Sequence, residues 1–150
     1  MKFTISWLKE HLDTQKSDKE LIDGLTNIGL EVEDIINASE IFSNFIVGQI
    51  VEEKKHPNAD KLKVCRVDLG SDIVDVVCGA PNVEKGMKVV YAPSGSIIPS
   101  TQIILKATKI RGVDSVGMMC SEFELGISDD HDGIITVSYT HLTLPTNREV

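Results

Sequence analysis

Five cations and one imidazole fall between positions 54 and 66 of this chain: Lys54, Lys55, His56, Lys61, Lys63 and Arg66. Lysine and arginine at such spacing can meet a row of phosphates, the part of polyanion binding that carries no base information. Pro57 fixes its own φ and pushes His56 towards an extended conformation, while Asn58 and Asp60 favour turns closed by their own side chains. The stretch His56 to Leu62 (HPNADKL) is therefore expected to be a rigid loop between two strands, presenting Asn58 beside the cations. The same residues also suit a plain structural turn with solvated lysines. A second segment, Arg111 to Gly126 (RGVDSVGMMCSEFELG), turns the chain out of a strand, with Gly112 expected at positive φ. It places Arg111 and Ser115 at an RNA or partner surface, or in a segment that closes a barrel.

No constellation for covalent or acid–base catalysis stands beside these segments. Cys65, Cys78 and Cys120 are an odd, widely spaced set without a C-x-x-C, so they are expected to be structural free thiols. A nucleophilic Cys78 would need a base, and none of His11, His56, His131 and His141 is tied to it by a recognisable signature. His56 and Asp60 have no third ligand nearby. Asp129, Asp130, His131 and Asp132 resemble a metal loop only superficially, because the EF-hand spacing fails. Neither a catalytic residue, a metal site nor a cofactor site is expected.

The 150 residues carry a formal net charge of −8, which argues against tight non-specific nucleic-acid binding. That charge is uneven. Residues 47–110 hold nine Lys and Arg against seven acids, whereas residues 1–46 hold four against nine and residues 111–136 one against six. Any RNA contact should therefore use a local patch in the middle of the chain. Aromatic content of 5% leaves few rings on which bases could stack. Charges at Lys9, Glu10 and Asp13 interrupt any leader-like apolar run, and no stretch is long enough to span a bilayer. A soluble, cytoplasmic protein without a membrane partner is expected.

The elements that must position these residues fall into two groups. Ser6 is expected to cap a first helix carrying Trp7, Leu8 and Leu12. Ser17 and Glu20 form a capping box for a second, whose stripe of Leu21, Ile22, Leu25 and Ile28 stops at Gly29. Glu31–Ile36 alternates as a strand would. From Ile46 onward, strands are expected over Ile46–Val51, Leu62–Leu69, Ile73–Cys78, Lys88–Ala92 and Ile103–Ile110. Gly70-Ser71-Asp72 makes a hairpin turn, Met118 and Met119 plug a barrel end, and Ser121 to Glu124 forms a late capping box. The fold class is α+β: a small helical and strand unit over residues 1–39, part of an incomplete domain, then a five-stranded OB-type Greek-key β-barrel over residues 40–136.

The segments HPNADKLKVCRVDLG, VVCGAPNV and IRGVDSVGMMCSEFELG, with the opening KFTISWLKEHLD and LTNIGLEVED, resemble in order the N-terminal part of the bacterial phenylalanine–tRNA ligase beta subunit and its tRNA-binding OB-type domain. The likeness covers residues 1 to about 136. It implies tRNA as a partner and membership of a heterotetramer of two alpha and two beta subunits that uses ATP and magnesium. The aminoacylation, editing and anticodon-contacting parts of that family lie elsewhere, so no catalytic residue carries over. A structural inter-domain docking module, or a stand-alone OB-type tRNA-binding protein, remain alternatives. Residues 137–150 (VSYTHLTLPTNREV) follow none of the earlier patterns and resemble the translation of a sequencing-library adapter, so they are expected to be foreign.

Overall fold

Branched residues alternating from Ile46 to Cys78 form a three-stranded antiparallel meander in the computed structural model, which describes residues 1–137. Its strands are β1 (Ile46–His56), β2 (Ala59–Asp68) and β3 (Ile73–Cys78). The chain then returns as β4 (Lys88–Pro93) beside β1, and β7 (Gly117–Met119) adds to β4, giving the sheet order β3-β2-β1-β4-β7. Three hairpin-linked strands and a fourth lying beside the first make a Greek key. Between β4 and β7, a small hairpin pairs β5 (Thr108–Ile110) with β6 (Val113–Ser115).

The five-stranded sheet is not closed by a continuous ladder. Its outer strand β3 is instead tied to the β6–β7 connection by two bonds. The Val116 amide donates to the Asp75 carbonyl at 3.4 Å, and the Val77 amide donates to Ser115 Oγ at 3.2 Å. Strand β1 bends to serve two neighbours: Ile46–Gln49 pairs with β4, while Gln49–His56 pairs with β2 through irregularities at Ile50/Glu52 and Lys55/His56. Gly48 permits the close crossing, since a Cβ there would lie 2.7 Å from Val67 Cγ1 and 2.9 Å from Leu69 Cδ2.

Strand β4 reads Val-Val-Tyr-Ala because it is buried on both faces. Val89 and Tyr91 join Ile50, Cys65, Val67, Val76, Val83, Met119 and Ile134 in one apolar cluster. Val90 and Ala92 face a second cluster with Phe45, Ile98, Cys120, Leu125 and Val137. Each fully buried valine or isoleucine contributes roughly 1.5–3 kcal/mol of transfer free energy, so these clusters anchor every strand that carries the cations.

The described residues form two compact units, 1–37 and 38–137. In the first unit, Thr4 rather than Ser6 caps α1 (Ile5–His11), because the Thr4 hydroxyl is the one that accepts the Trp7 amide. The capping box of α2 (Asp18–Asn27) forms as expected between Ser17 and Glu20, and Gly29 sits at φ +94°. Leu21 is the buried member of the stripe; Ile28 is exposed. The strand expected over Glu31–Ile36 does not form, since this segment pairs with no sheet edge. The second unit begins with the short helix α3 (Ala38–Ile41).

Among the expected strands, Ile103–Ile110 is reduced to β5. The Gln102 amide donates to Ile98 O and the Ile98 amide to Ile103 O, folding that stretch into a turn with Gln102 at φ +59°. Met118 and Met119, expected as a plug, lie in β7, with Met119 in the core. Of the expected foreign segment, 138–150 lies outside the described residues. Val137 itself is buried, and its amide donates to Lys88 O at 2.8 Å.

Candidate nucleic-acid interface

The segment HPNADKL is not a free loop. β1 runs to His56, β2 starts at Ala59, and His56 pairs with Ala59, so only Pro57 and Asn58 turn the chain. The rest of the motif is strand, because its residues continue the β1–β2 ladder up to the tip. This makes the cations a ladder array, with Lys55 opposite Lys63 and Arg66 opposite Glu52.

His56 is buried, and its ring fastens that tip. Nδ1 accepts the Asn58 amide at 3.0 Å, which leaves Nε2 to carry the proton and donate to Ile110 O at 2.9 Å. Asn58 continues the clasp: its Nδ2 donates to Arg111 O at 3.1 Å, while Arg111 Nη1 donates back to Asn58 O at 3.5 Å. Arg111 and Gly112 are the two turn residues of the β5–β6 hairpin, at φ +50° and +93°. Positive φ at both positions is the type I′ pattern that matches strand twist. Two hairpin tips, more than fifty residues apart in sequence, are thereby locked together.

The cations differ in what they touch. Lys54 pairs with Glu52 at 2.8 Å, and Arg66 lies 3.5 Å from Glu52 and 3.4 Å from Asp75. Lys63 donates to Glu53 at 2.8 Å and to the Val83 carbonyl at 2.8 Å. The Lys54 ammonium, helped by Arg66 and Lys85, holds the Glu52 carboxyl below its usual range. The hydrogen bond from Lys63 to Glu53 raises the lysine. Lys55 and Lys61 are exposed and have no acidic partner among the described residues. Among the five cations of the ladder, these two are the ones with no ion pair to a described residue.

Ser115 stands apart from the surface expected for it. It is buried, accepts the Val77 amide, and donates to Gly117 O at 3.1 Å. Like His56, it is occupied in holding backbone. Sequence reasoning overlooked the interleaved acids Glu52, Glu53 and Asp75; their cross-strand register was the signal that could have revealed them. The Ile110 carbonyl, as a backbone group, left none.

The thiols fit structural roles. Burial pushes Cys65 and Cys120 up to about 12, and raises Cys78, whose Sγ accepts the Ala80 amide at 3.4 Å. None is poised as a thiolate near neutrality.

A family model described as "Putative tRNA binding domain" matches residues 45–142. The phenylalanine–tRNA ligase beta subunit of Rhodospirillum rubrum is 54% identical over 90% of this chain and 17% of its own length. That of Paramagnetospirillum magneticum is 54% identical over 93% of the chain and 18% of its own length. The chain thus spans less than a fifth of the curated relatives it matches. A crystal structure of a MetRS related protein from Pyrococcus horikoshii shares the fold with a TM-score of 0.50 at 22% identity, covering 71% of this chain and 91% of that one. With the β1–β2 ladder, its clasped tip and this match over most of the second unit, the chain belongs to the tRNA binding domain family.

Proposed function

We propose that this chain is the part of a phenylalanine–tRNA ligase beta subunit that contributes tRNA contact to the charging of tRNA(Phe). The observation that carries the reading is the pair of unpaired lysines, Lys55 and Lys61, beside a tip that His56, Asn58 and Arg111 hold in place. Phosphate oxygens would meet Lys55 and Lys61 first. Lys54, Lys63, Arg66 and Arg111 follow by exchanging their internal acceptors, while His56, Asn58 and Ser115 shape the surface. We take the sheet to be an open form of the OB-type barrel, supported by the two bonds that draw β3 towards β6 and β7.

In this reading the parent enzyme is cytoplasmic, assembles with an alpha subunit as a heterotetramer, and uses ATP and magnesium on parts outside this chain. No helix among the described residues is long and apolar enough to cross a membrane. Residues 137–150 are read as foreign to the natural subunit on the resemblance of VSYTHLTLPTNREV to an adapter translation, against a family match that runs to residue 142; the genomic reading frame past Thr136 tests this.

The functional test is steady-state aminoacylation by the full ligase carrying Lys55→Glu and Lys61→Glu in the beta subunit. The expected result is a several-fold higher KM for tRNA with kcat unchanged, as for loss of uniform binding. An unchanged KM would overturn the RNA role. It would favour the docking-module alternative, which the internal pairing of Lys54, Lys63 and Arg66 supports.

A further inference from the structure

Glu52 and Glu53 stand among the cations of the lysine ladder, and as neighbours on β1 they point to opposite faces of the sheet. On one face the register sets Glu52 opposite Arg66 and Arg66 opposite Asp75, an acid–base–acid row across β1, β2 and β3. Glu52 divides its carboxylate between two cations: Oε1 lies 2.8 Å from Lys54 Nζ and Oε2 lies 3.5 Å from Arg66 Nη1. On the other face Lys55 stands opposite Lys63, a like-charged pair that is unfavourable by itself. Glu53 relieves it, with Oε2 2.8 Å from Lys63 Nζ.

The two carboxylates occupy the positions that phosphates would need. A phosphodiester also presents two charged oxygens, and it would bridge Lys54 and Arg66 as Glu52 does. Lys63 is held ready on the other face, because Nζ also donates to the Val83 carbonyl at 2.8 Å and keeps that anchor when the acid leaves. Lys54, Arg66 and Lys63 are thus neutralised from within. A phosphate gains little at these three cations: it displaces one anion to install another, and the freed carboxylate, still fixed to β1, repels it. Fewer counterions are released as well, since an internally paired cation gathers fewer of them from solution.

We propose that Glu52 and Glu53 are internal stand-ins for phosphate, which limit the affinity of the ladder and must be displaced from Lys54, Arg66 and Lys63 when a phosphate chain binds. The inference rests on the reading of the ladder as a phosphate-contacting surface. It makes the two acids specificity-determining residues. A short polyphosphate meets only Lys55 and Lys61, whereas a long phosphate chain held by those two can displace the acids one after the other.

The probes are inorganic tripolyphosphate and tRNA, each titrated into the full chain and into its Glu52→Gln, Glu53→Gln and Asp60→Asn variants. Asp60 is the control, since it is exposed, lies on β2 and has no ion pair among the described residues, while its loss changes the net charge equally. Glu52→Gln and Glu53→Gln should each bind both probes about two- to fivefold more tightly, the scale of one exposed ion pair, and Asp60→Asn should gain clearly less. For tRNA, the slope of log affinity against log salt should steepen by about 0.7–0.9 in each acid variant, one cation being freed in each because Arg66 keeps Asp75. Melting temperatures should fall slightly in both, and most in Glu53→Gln, whose pair is 35% and 32% exposed and whose loss leaves Lys55 and Lys63 opposed. Tighter binding with lower stability separates a phosphate stand-in from an acid that merely braces the sheet, whose removal would lower stability without tightening binding. Unchanged or weaker affinity for both probes in the two acid variants, or an equal gain in Asp60→Asn, would overturn the proposal. Failure of the RNA reading looks different: tRNA would not bind the unaltered chain at low salt, while the tripolyphosphate gains of the two acid variants would persist and support the stand-in role.

Discussion

At the residue scale, Lys55 and Lys61 differ from their neighbours in what they must give up. Lys54, Lys63 and Arg66 exchange one ionic partner for another on meeting a phosphate, whereas Lys55 and Lys61 lose only water. Asn58 acts indirectly. Asn58→Ala removes the bond to Arg111 O, and should lower stability by about 1 kcal/mol while weakening tRNA binding through the freed Arg111 turn; denaturant melts and tRNA titrations read the two effects separately. His56→Ala should cost more, about 2 kcal/mol, because it leaves the Ile110 carbonyl without its donor. The buried thiols set an alkaline limit. Cys65 and Cys120 are raised from the ordinary 9.0 to about 12, so the folded protein keeps them neutral after the unfolded chain has ionised. Their contribution is complete below pH 9.0 and is lost as pH rises towards 12, so stability should fall across that window. Cys120→Ala should flatten the fall, which urea midpoints at successive pH values would show.

At the element scale, strand identity was legible wherever burial imposed a period. β3 spans Ile73–Cys78 as its alternation predicts, and the apolar run of β4 marks burial on both faces. The ends of β1 and β2 were not legible, because Glu52 to His56 is polar and its pairing comes from register against β2 rather than from burial. Strands β6 and β7, three residues each, are too short to show a period. Glycines carry information of another kind. A Cβ at Gly133 would lie 2.5 Å from Asn82 Oδ1, the atom that accepts the Ile134 amide, while Asn82 Nδ2 donates to Ile134 O. Gly133→Ala should therefore cost about 2–4 kcal/mol by clash and by loss of that paired amide contact. Gly112→Ala has room, its nearest neighbour being Asn58 Nδ2 at 3.8 Å, but its φ of +93° makes an L side chain strained. About 1–2 kcal/mol is expected there, and thermal melts of the two variants would rank them.

For the whole molecule, a net charge of −8 and a phosphate-binding role are compatible because the charge is segregated. The lysine ladder lies in the weakly basic middle of the chain, while the acidic turn after β7 offers a surface on which RNA is unfavourable. The candidate site was legible as a list of cations; which of them are free was not, since that depends on cross-strand acids known only from register. Association with tRNA should be modest and electrostatic. The most direct measurement is the dependence of tRNA affinity on salt concentration for the full chain and for Lys55→Ala/Lys61→Ala. Each phosphate contact contributes about 0.7–0.9 to the slope of log affinity against log salt, so losing both lysines should reduce the slope by about 1.5. An unchanged slope in the double variant, or no affinity for tRNA at low salt in the unaltered chain, would contradict the account.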